Sequence, residues 1–313
     1  MLESMKADRL RLTYLVAQIR DLERLLSALR KERAQTQKRL SAYKYPVLTL
    51  PNEITSEIFI HFLPVYPDAP PLVGLELPTT LTHVCHHWRE VALATPALWR
   101  ALKFSDVDNS ESYKLIHRIS DAWIRRSRSC LLSIDIDIVD PGIFDEIFAE
   151  TLAAAATRWE HLRIYIPRDS HPKIGRMPLL RSLDLEFEGR DRAVKYDAPK
   201  LRTVVLWSGV QNVTLPWARI TCLTMNKVGL DQCASILRHT THLIQYILLP
   251  ARYLQPHGLL NFPGSHLTLP CLQSLTSESL TLGTRSRQLD SFLSALVVPA
   301  FRRLDLQRGI PRC

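Results

Sequence analysis

Apolar residues recur along this chain in three spacings, and each spacing predicts a different kind of element. Over residues 2–44, Leu12, Leu15, Ile19, Leu22, Leu26 and Leu29 follow one another in alternating steps of three and four. That is an a/d seam about three heptads long, with charges on the other faces. No glycine or proline occurs before Pro46, and good helix formers dominate, so the segment predicts one long helix. Arg33 and Thr36 take the next two seam positions before Leu40 restores the pattern. The seam serves either a second copy, making a homodimer through a coiled coil, or the rest of the protein, as a docked helix.

Residues 46–104 change the pattern. Ile54, Ile58, Phe59, Phe62 and Leu63 recur at helical spacing behind Pro51 and Asn52, with Asn52 as the expected N-cap. Pro64 ends that helix, and five prolines between 64 and 78 predict a loop. A second helix is expected from about Thr79. Leu81, Val84, Cys85, Trp88 and Val91 would lie on its apolar side. Thr95-Pro96 opens a third short turn carrying Leu98, Trp99 and Leu102. Three short helices with one apolar face each are too small to be very stable alone, so such a unit borrows burial from a neighbour.

From 105 to 313 the spacing shifts again. One apolar residue precedes a second by three and a third by five, as in Trp159/Leu162/Ile164, Leu180/Leu183/Leu185, Leu201/Val204/Leu206, Ile220/Leu223/Met225, Leu243/Tyr246/Leu248 and Phe301/Leu304/Leu306. The Leu272/Leu275/Ser277 run keeps two of the three. The middle residues stand 21, 21, 19, 23, 29 and 29 apart. These runs read as strands, and 131–138 as the first of them. The stretches 112–127, 142–156, 231–239 and 286–296 read as helices between strands. The spacing predicts a stacked, leucine-rich-repeat-like α/β solenoid whose open sheet takes a partner protein. An irregular α/β layer of another kind is the alternative. The last run lies close to the C-terminus without a capping unit, which suggests a truncated or atypical end.

Composition narrows the function classes. The formal charge is +9, and residues 1–45 hold eleven Lys/Arg against five Asp/Glu. Such a basic helix either is a solvated surface or holds nucleic acid or chromatin through phosphates. Six cysteines lie far apart without a C-x-x-C pair, arguing against disulfide frameworks and zinc ribbons. His83, His86 and His87 tempt as metal ligands on the second helix, but no further ligand stands at the right spacing, so no metal is expected. No nucleophile elbow, zincin motif or phosphate-cradling glycine loop is present, so no catalysis and no cofactor are expected. Asp135 and Asp137 alternate with isoleucines, as on the outward face of a strand. Arg125, Arg126 and Arg128 read as cations at a helix C-terminus. Without a signal-like segment or a spanning apolar run, an intracellular, cytoplasmic or nuclear, protein without membrane partners is expected.

The second region resembles the F-box domain of fungal proteins. The resemblance rests on L-P-N-E-I-x-x-E-I-F-x-x-F-L-P at 50–64, L-T-H-V-C-H-H-W-R-E-V-A at 81–92 and T-P-A-L-W at 95–99. It covers about 55 residues of the chain directly; more loosely, the whole order resembles fungal proteins in which a coiled coil precedes the F-box and leucine-rich-like repeats follow it. The resemblance implies three parts: a basic coiled-coil helix (1–45), a three-helix F-box-like module (46–104) and the repeat-like α/β domain (105–313). It implies a substrate-recruiting adaptor of a cullin-RING ubiquitin ligase of SCF type. The small ligase adaptor protein, and through it the cullin scaffold, would contact Leu50, Pro51, Ile54, Ile58, Phe59 and Leu63 on the first helix. Leu81, Val84, Cys85, Trp88 and Val91 would serve on the second. A substrate protein would bind the C-terminal half. The long proline-rich loop departs from the family's pattern and threatens to separate the two halves of the module.

Overall fold

The structure, a computed structural model, describes residues 2–42, 46–72, 74, 77–105, 110–189, 193–207, 210, 212–249, 266–279 and 284–308. Packing divides the chain into two units, Met1–Thr55 and Ser56–Cys313. The first is dominated by α1 (Leu2–Ala42), 41 residues long and continuous. At 1.5 Å per residue it extends roughly 60 Å. Every described side chain from Ser4 to Ala42 is exposed, the seam leucines included.

Helix α2 (Asn52–Phe62) starts where the Pro51 carbonyl accepts the Thr55 N–H at 3.0 Å. Pro51, not Asn52, therefore holds the cap position. The expected second helix is broken in two: α3 (Pro78–Leu81) and α4 (His86–Ala94). The Thr82 hydroxyl donates to the Thr79 carbonyl at 2.6 Å, a local bond that competes with helix continuation. Cys85 then turns extended, and its Sγ accepts the Trp88 N–H at 3.4 Å, capping α4. Thr95, restricted by Pro96, takes φ −103° and ψ 93° and ends α4. A 3-10 turn over Pro96–Trp99 follows, and the Trp99 indole N–H donates to the Ala92 carbonyl at 2.9 Å.

The chain passes directly into β1 (Ala101–Ser105), so the sheet begins a strand earlier than the apolar pattern indicates. Helix α5 (Ser110–Arg126), β2 (Leu132–Asp137), α6 (Pro141–Ile147), β3 (Trp159–Ile166), β4 (Ser182–Phe187), β5 (Ala193–Lys195), β6 (Thr203–Leu206), β7 (Asn212–Thr214), β8 (Cys222–Asn226), α7 (Leu230–Leu237), β9 (Gln245–Leu249), β10 (Leu267–Thr268), β11 (Ser274–Ser279), α8 (Thr284–Ser294), β12 (Leu296–Val297) and β13 (Arg303–Arg308) complete it. The α5 C-terminus is capped from a distance by Arg158, which donates to the Ile124 carbonyl at 3.4 Å and, just past the helix, to the Ser127 hydroxyl at 2.6 Å and the Cys130 carbonyl at 2.8 Å. Of the cations at 125–128, Arg126 instead lies over the Trp99 ring, 4.6 Å from its centre.

Nine strands form one sheet in the order β1-β2-β3-β4-β6-β8-β9-β11-β13. Each described pairing is parallel. The apolar triplets fall into register across it: Leu162 faces Leu183, then Val204, Leu223, Tyr246, Leu275 and Leu304. From Leu162 through Leu275 these residues are buried, and the helices add Ile116, Trp123, Phe144, Ile147, Cys233 and Leu237 to the same core.

This sheet corrects the solenoid expectation. Its crossovers are unlike one another: α5, α6 with further helical turns, and α7 link some strands, whereas β3–β4 has an irregular link and β4–β6–β8 carries the small parallel pair β5–β7. The result is a layered parallel α/β fold of Rossmann-like class, not a leucine-rich-repeat solenoid. Triplet spacing misleads here because its last two members are alternate positions of a strand, as Leu183 and Leu185 are in β4, a period that such strands share whatever their crossovers.

Nor does residue 104 separate two bodies. Phe59, Leu81, Val91, Leu98 and Trp99 belong to one core with residues of the strands and of helices as far along as Phe292 in α8. The proline-rich segment fastens them. The Tyr66 hydroxyl donates to Glu160 at 2.9 Å, the Ser133 hydroxyl donates to the Pro67 carbonyl at 2.6 Å, and Pro71 bridges to Lys103. Arg100 lies 3.8 Å from the centre of the Tyr66 ring, which stands edge-on to His161. The loop is thus a strap on the sheet, and the halves of the module stay together: Phe59 and Trp88 meet edge to face at 4.9 Å.

Candidate docking surfaces

Helix α2 carries two apolar rows rather than one face. Phe59, 1% exposed, lies in the core, and Ile60 and Leu63 pack against it. The neighbouring row steps by four through Ile54, Ile58 and Phe62, which remain 51%, 49% and 44% exposed. On a helix, residues four apart lie one above the other, so this row is a continuous apolar ridge. Val65, at 84%, and Val84, at 58%, are further exposed apolar side chains of the second unit.

The eleven residues implied by the resemblance therefore divide. Pro51, Ile54, Ile58 and Val84 are exposed. Leu50 and Cys85 are half-buried. Leu63 and Trp88 pack on the core from its margin. Phe59, Leu81 and Val91 are core residues, because the module shares the sheet's core and can bury them without a partner. Their role is support: they hold α2 and α4 in place. The helix break also removes Val84 from the row of Leu81 and Val91, and leaves His83 in the turn ahead of His86 and His87. Phe62 was absent from the implied contacts; the step of four from Ile54 and Ile58 is the signal that identifies it.

A second surface lies on the open face of the sheet. Lys103, Asp135, Arg163 and Asp184 occupy one register row across β1, β2, β3 and β4. Charges alternate along it. Lys103 Nζ is 3.8 Å from Asp135 Oδ2, Arg163 Nη1 is 3.6 Å from the same oxygen, and Arg163 Nε is 3.0 Å from Asp184 Oδ2. The Trp207 indole N–H donates to the other Asp184 oxygen at 2.7 Å. Lys227, held at a left-handed φ of 56°, places its ammonium 5.8 Å from the centre of the Trp207 ring. Asp135 Oδ1 is enclosed without a hydrogen-bond partner. Burial raises the Asp135 carboxyl above its usual range although Arg163 and Lys103 pull it down. Glu186 is raised by burial too, with Lys227 opposing.

The hollow lined by Lys103, Asp135, Arg163, Asp184, Glu186 and Trp207 measures about 260 Å³. That is slightly below the roughly 300–1,000 Å³ common for small-molecule sites. The signal for the row was in the sequence: each member sits between the second and third apolar residues of a strand run, as in Leu162-Arg163-Ile164 and Leu183-Asp184-Leu185. Strand order and register were needed to join them.

Burial lifts the Cys233 thiol to about 12, far from a reactive thiolate. Among the described residues, no group of three His, Cys, Asp or Glu could hold a metal ion. No described helix is long and apolar enough to cross a membrane. Compared with protein-family models and with curated proteins, the chain matches none.

Proposed function

We propose that the chain is an F-box substrate-recruiting adaptor of an SCF-type cullin-RING ubiquitin ligase, joining two proteins without catalysis of its own. The observation that carries this reading is the exposed Ile54–Ile58–Phe62 row, on a helix whose adjacent row is already core. An amphipathic helix with a spare apolar ridge docks by laying that ridge into a partner's groove. The sequence resemblance at 50–64, 81–92 and 95–99 names the partner as the small ligase adaptor, which links to the cullin scaffold.

The open sheet face is then the substrate side. Its alternating charges, Trp207 and Lys227 offer a polar, partly desolvated surface of the kind that sets specificity between proteins. The strap at 64–72 supports the same division of labour, because it ties the module rigidly to the sheet that would present the substrate.

Affinity capture with the full chain tests this reading. The adaptor and cullin are expected among the proteins bound by the wild type and absent from those bound by Ile58→Asp/Phe62→Asp. An Arg163→Glu/Trp207→Ala chain should keep both ligase subunits and lose other clients. Capture of neither ligase subunit by the wild type, or equal capture by the ridge variant, would contradict the proposal.

A further inference from the structure

Helix α1 carries a long exposed apolar seam, and its own charges specify what covers it. Leu12, Leu15, Ile19, Leu22, Leu26 and Leu29 are between 44% and 65% exposed. Val16 and Leu25 widen the stripe on either side. Most helical stability in proteins comes from packing an apolar face. A helix of this length with its whole seam in water needs a second helix.

The heptad register assigns Met5, Leu12, Ile19, Leu26, Arg33 and Leu40 to a positions, and Asp8, Leu15, Leu22, Leu29 and Thr36 to d positions. The apolar seam is thus closed at one end by Asp8 and at the other by Arg33. Two parallel copies in register would set Asp8 against Asp8 and Arg33 against Arg33 within the seam. They would also bring no opposite charges together across e and g from Arg11 to Gln37, where Arg11 meets Val16, Gln18 meets Glu23, Leu25 meets Arg30 and Glu32 meets Gln37.

An antiparallel pair with its two-fold axis between Arg20 and Asp21 behaves differently. It stacks Leu12 on the second copy's Leu29, Leu15 on Leu26 and Ile19 on Leu22, an a-to-d layer each time. The next layer outward sets Asp8 against Arg33, at both ends by symmetry. Along the flank, Arg11 faces Glu32 at g positions, while Arg9 faces Arg30 at e positions and is the one like-charged pair there. The seam is therefore its own complement only when the second copy runs the opposite way.

We infer that α1 is the dimerisation element of this protein and pairs with a second copy antiparallel, its apolar layers closed at each end by an Asp8–Arg33 ion pair. The inference does not depend on the function proposed above.

Sedimentation of the full chain over a range of concentrations tests it. The wild type is expected to be a dimer. Ile19→Asp/Leu22→Asp should be a monomer whose second unit melts as before. Asp8→Arg should weaken the dimer roughly tenfold or more, since it opposes two arginines at each end. Adding Arg33→Asp to Asp8→Arg should restore the dimer to near wild type, because the exchange recreates both pairs. Arg30→Glu should tighten it by replacing the like-charged pair. A wild type that stays monomeric at all concentrations overturns the inference. So does a double exchange as weak as the single one, the result expected of parallel copies.

Discussion

Leucines meet opposite fates in the two units. In the second, Leu162, Leu183, Leu185, Leu201 and Leu206 are no more than 2% exposed; in the first, Leu12, Leu22 and Leu29 remain more than half exposed. The residue type is the same, and the spacing is what differs. Alternation along parallel strands builds rows that neighbouring strands and crossover helices of the same chain complete. A seam in steps of three and four asks for another helix, and the described chain does not bury it. The second unit is therefore self-sufficient in its core and exposes a few chosen residues, whereas the first is built around a surface left open. The α2 ridge belongs to the same logic on a smaller scale.

The second unit should unfold as one cooperative body. Trp99 is fully buried, bonded to the Ala92 carbonyl and edge-on to Trp123 at 5.6 Å. Trp99→Ala should cost about 3–5 kcal/mol and lower a single denaturation transition that includes the sheet. Two separated transitions, with only the helical module affected, would mean that the module and the sheet fold independently.

A smaller effect is expected at the sheet face. Asp184→Ala strips the Trp207 indole of its acceptor and leaves Arg163 with Asp135 alone, and an unsatisfied, partly buried donor costs about 1–3 kcal/mol. Denaturant titration should register the loss, while Asp305→Ala, at the far side of the sheet, should not. Equal effects would remove the charge row from any special role.

The pH response sharpens the picture further. Burial holds the His161 pKa below its ordinary value, and Glu160 only partly opposes this. A group depressed in the folded state contributes stability that is full above its unfolded value, about 6.5 for histidine, and is lost as pH falls through the folded value. Asp135 and Glu186 act with the opposite sign in a lower window, since raised carboxyls weaken the fold as pH rises through their range. The second unit should therefore lose melting temperature on acidification from neutrality, and His161→Phe should flatten that loss. An unchanged slope in the variant would show that His161 is not its source.

The smallest change in stability is expected at the α2 ridge. Ile58→Asp replaces a half-exposed side chain and should shift stability by no more than about 0.5 kcal/mol. Its effect should appear in binding instead.

Much of this architecture is legible in the residues. The long helix, the strand runs and the helices between several of them all follow from apolar spacing, because each element buries or exposes a face with its own period. What escapes is whatever depends on a neighbour far along the chain. The continuous helix expected over 79–91 fails at Cys85, whose thiol caps α4, a role that side-chain propensity does not suggest. The strand at 101–105 is hidden because Leu98, Trp99 and Leu102 look like one helical turn until β2 arrives to pair with it. The solenoid reading fails because strands repeat at similar intervals while their crossovers do not. At the docking surfaces, the ridge is visible as a step of four, but only packing shows that Phe59 turns inward while Ile58 stays out.

Mixing two purified proteins tests directly whether Ile58 and Phe62 form a docking ridge. The full-length chain and the isolated ligase adaptor should elute together from a sizing column with equal numbers of each, and Ile58→Asp/Phe62→Asp should elute apart from it with its melting temperature nearly unchanged. Separate elution of the folded wild-type chain and the adaptor at micromolar concentrations would contradict the central claim.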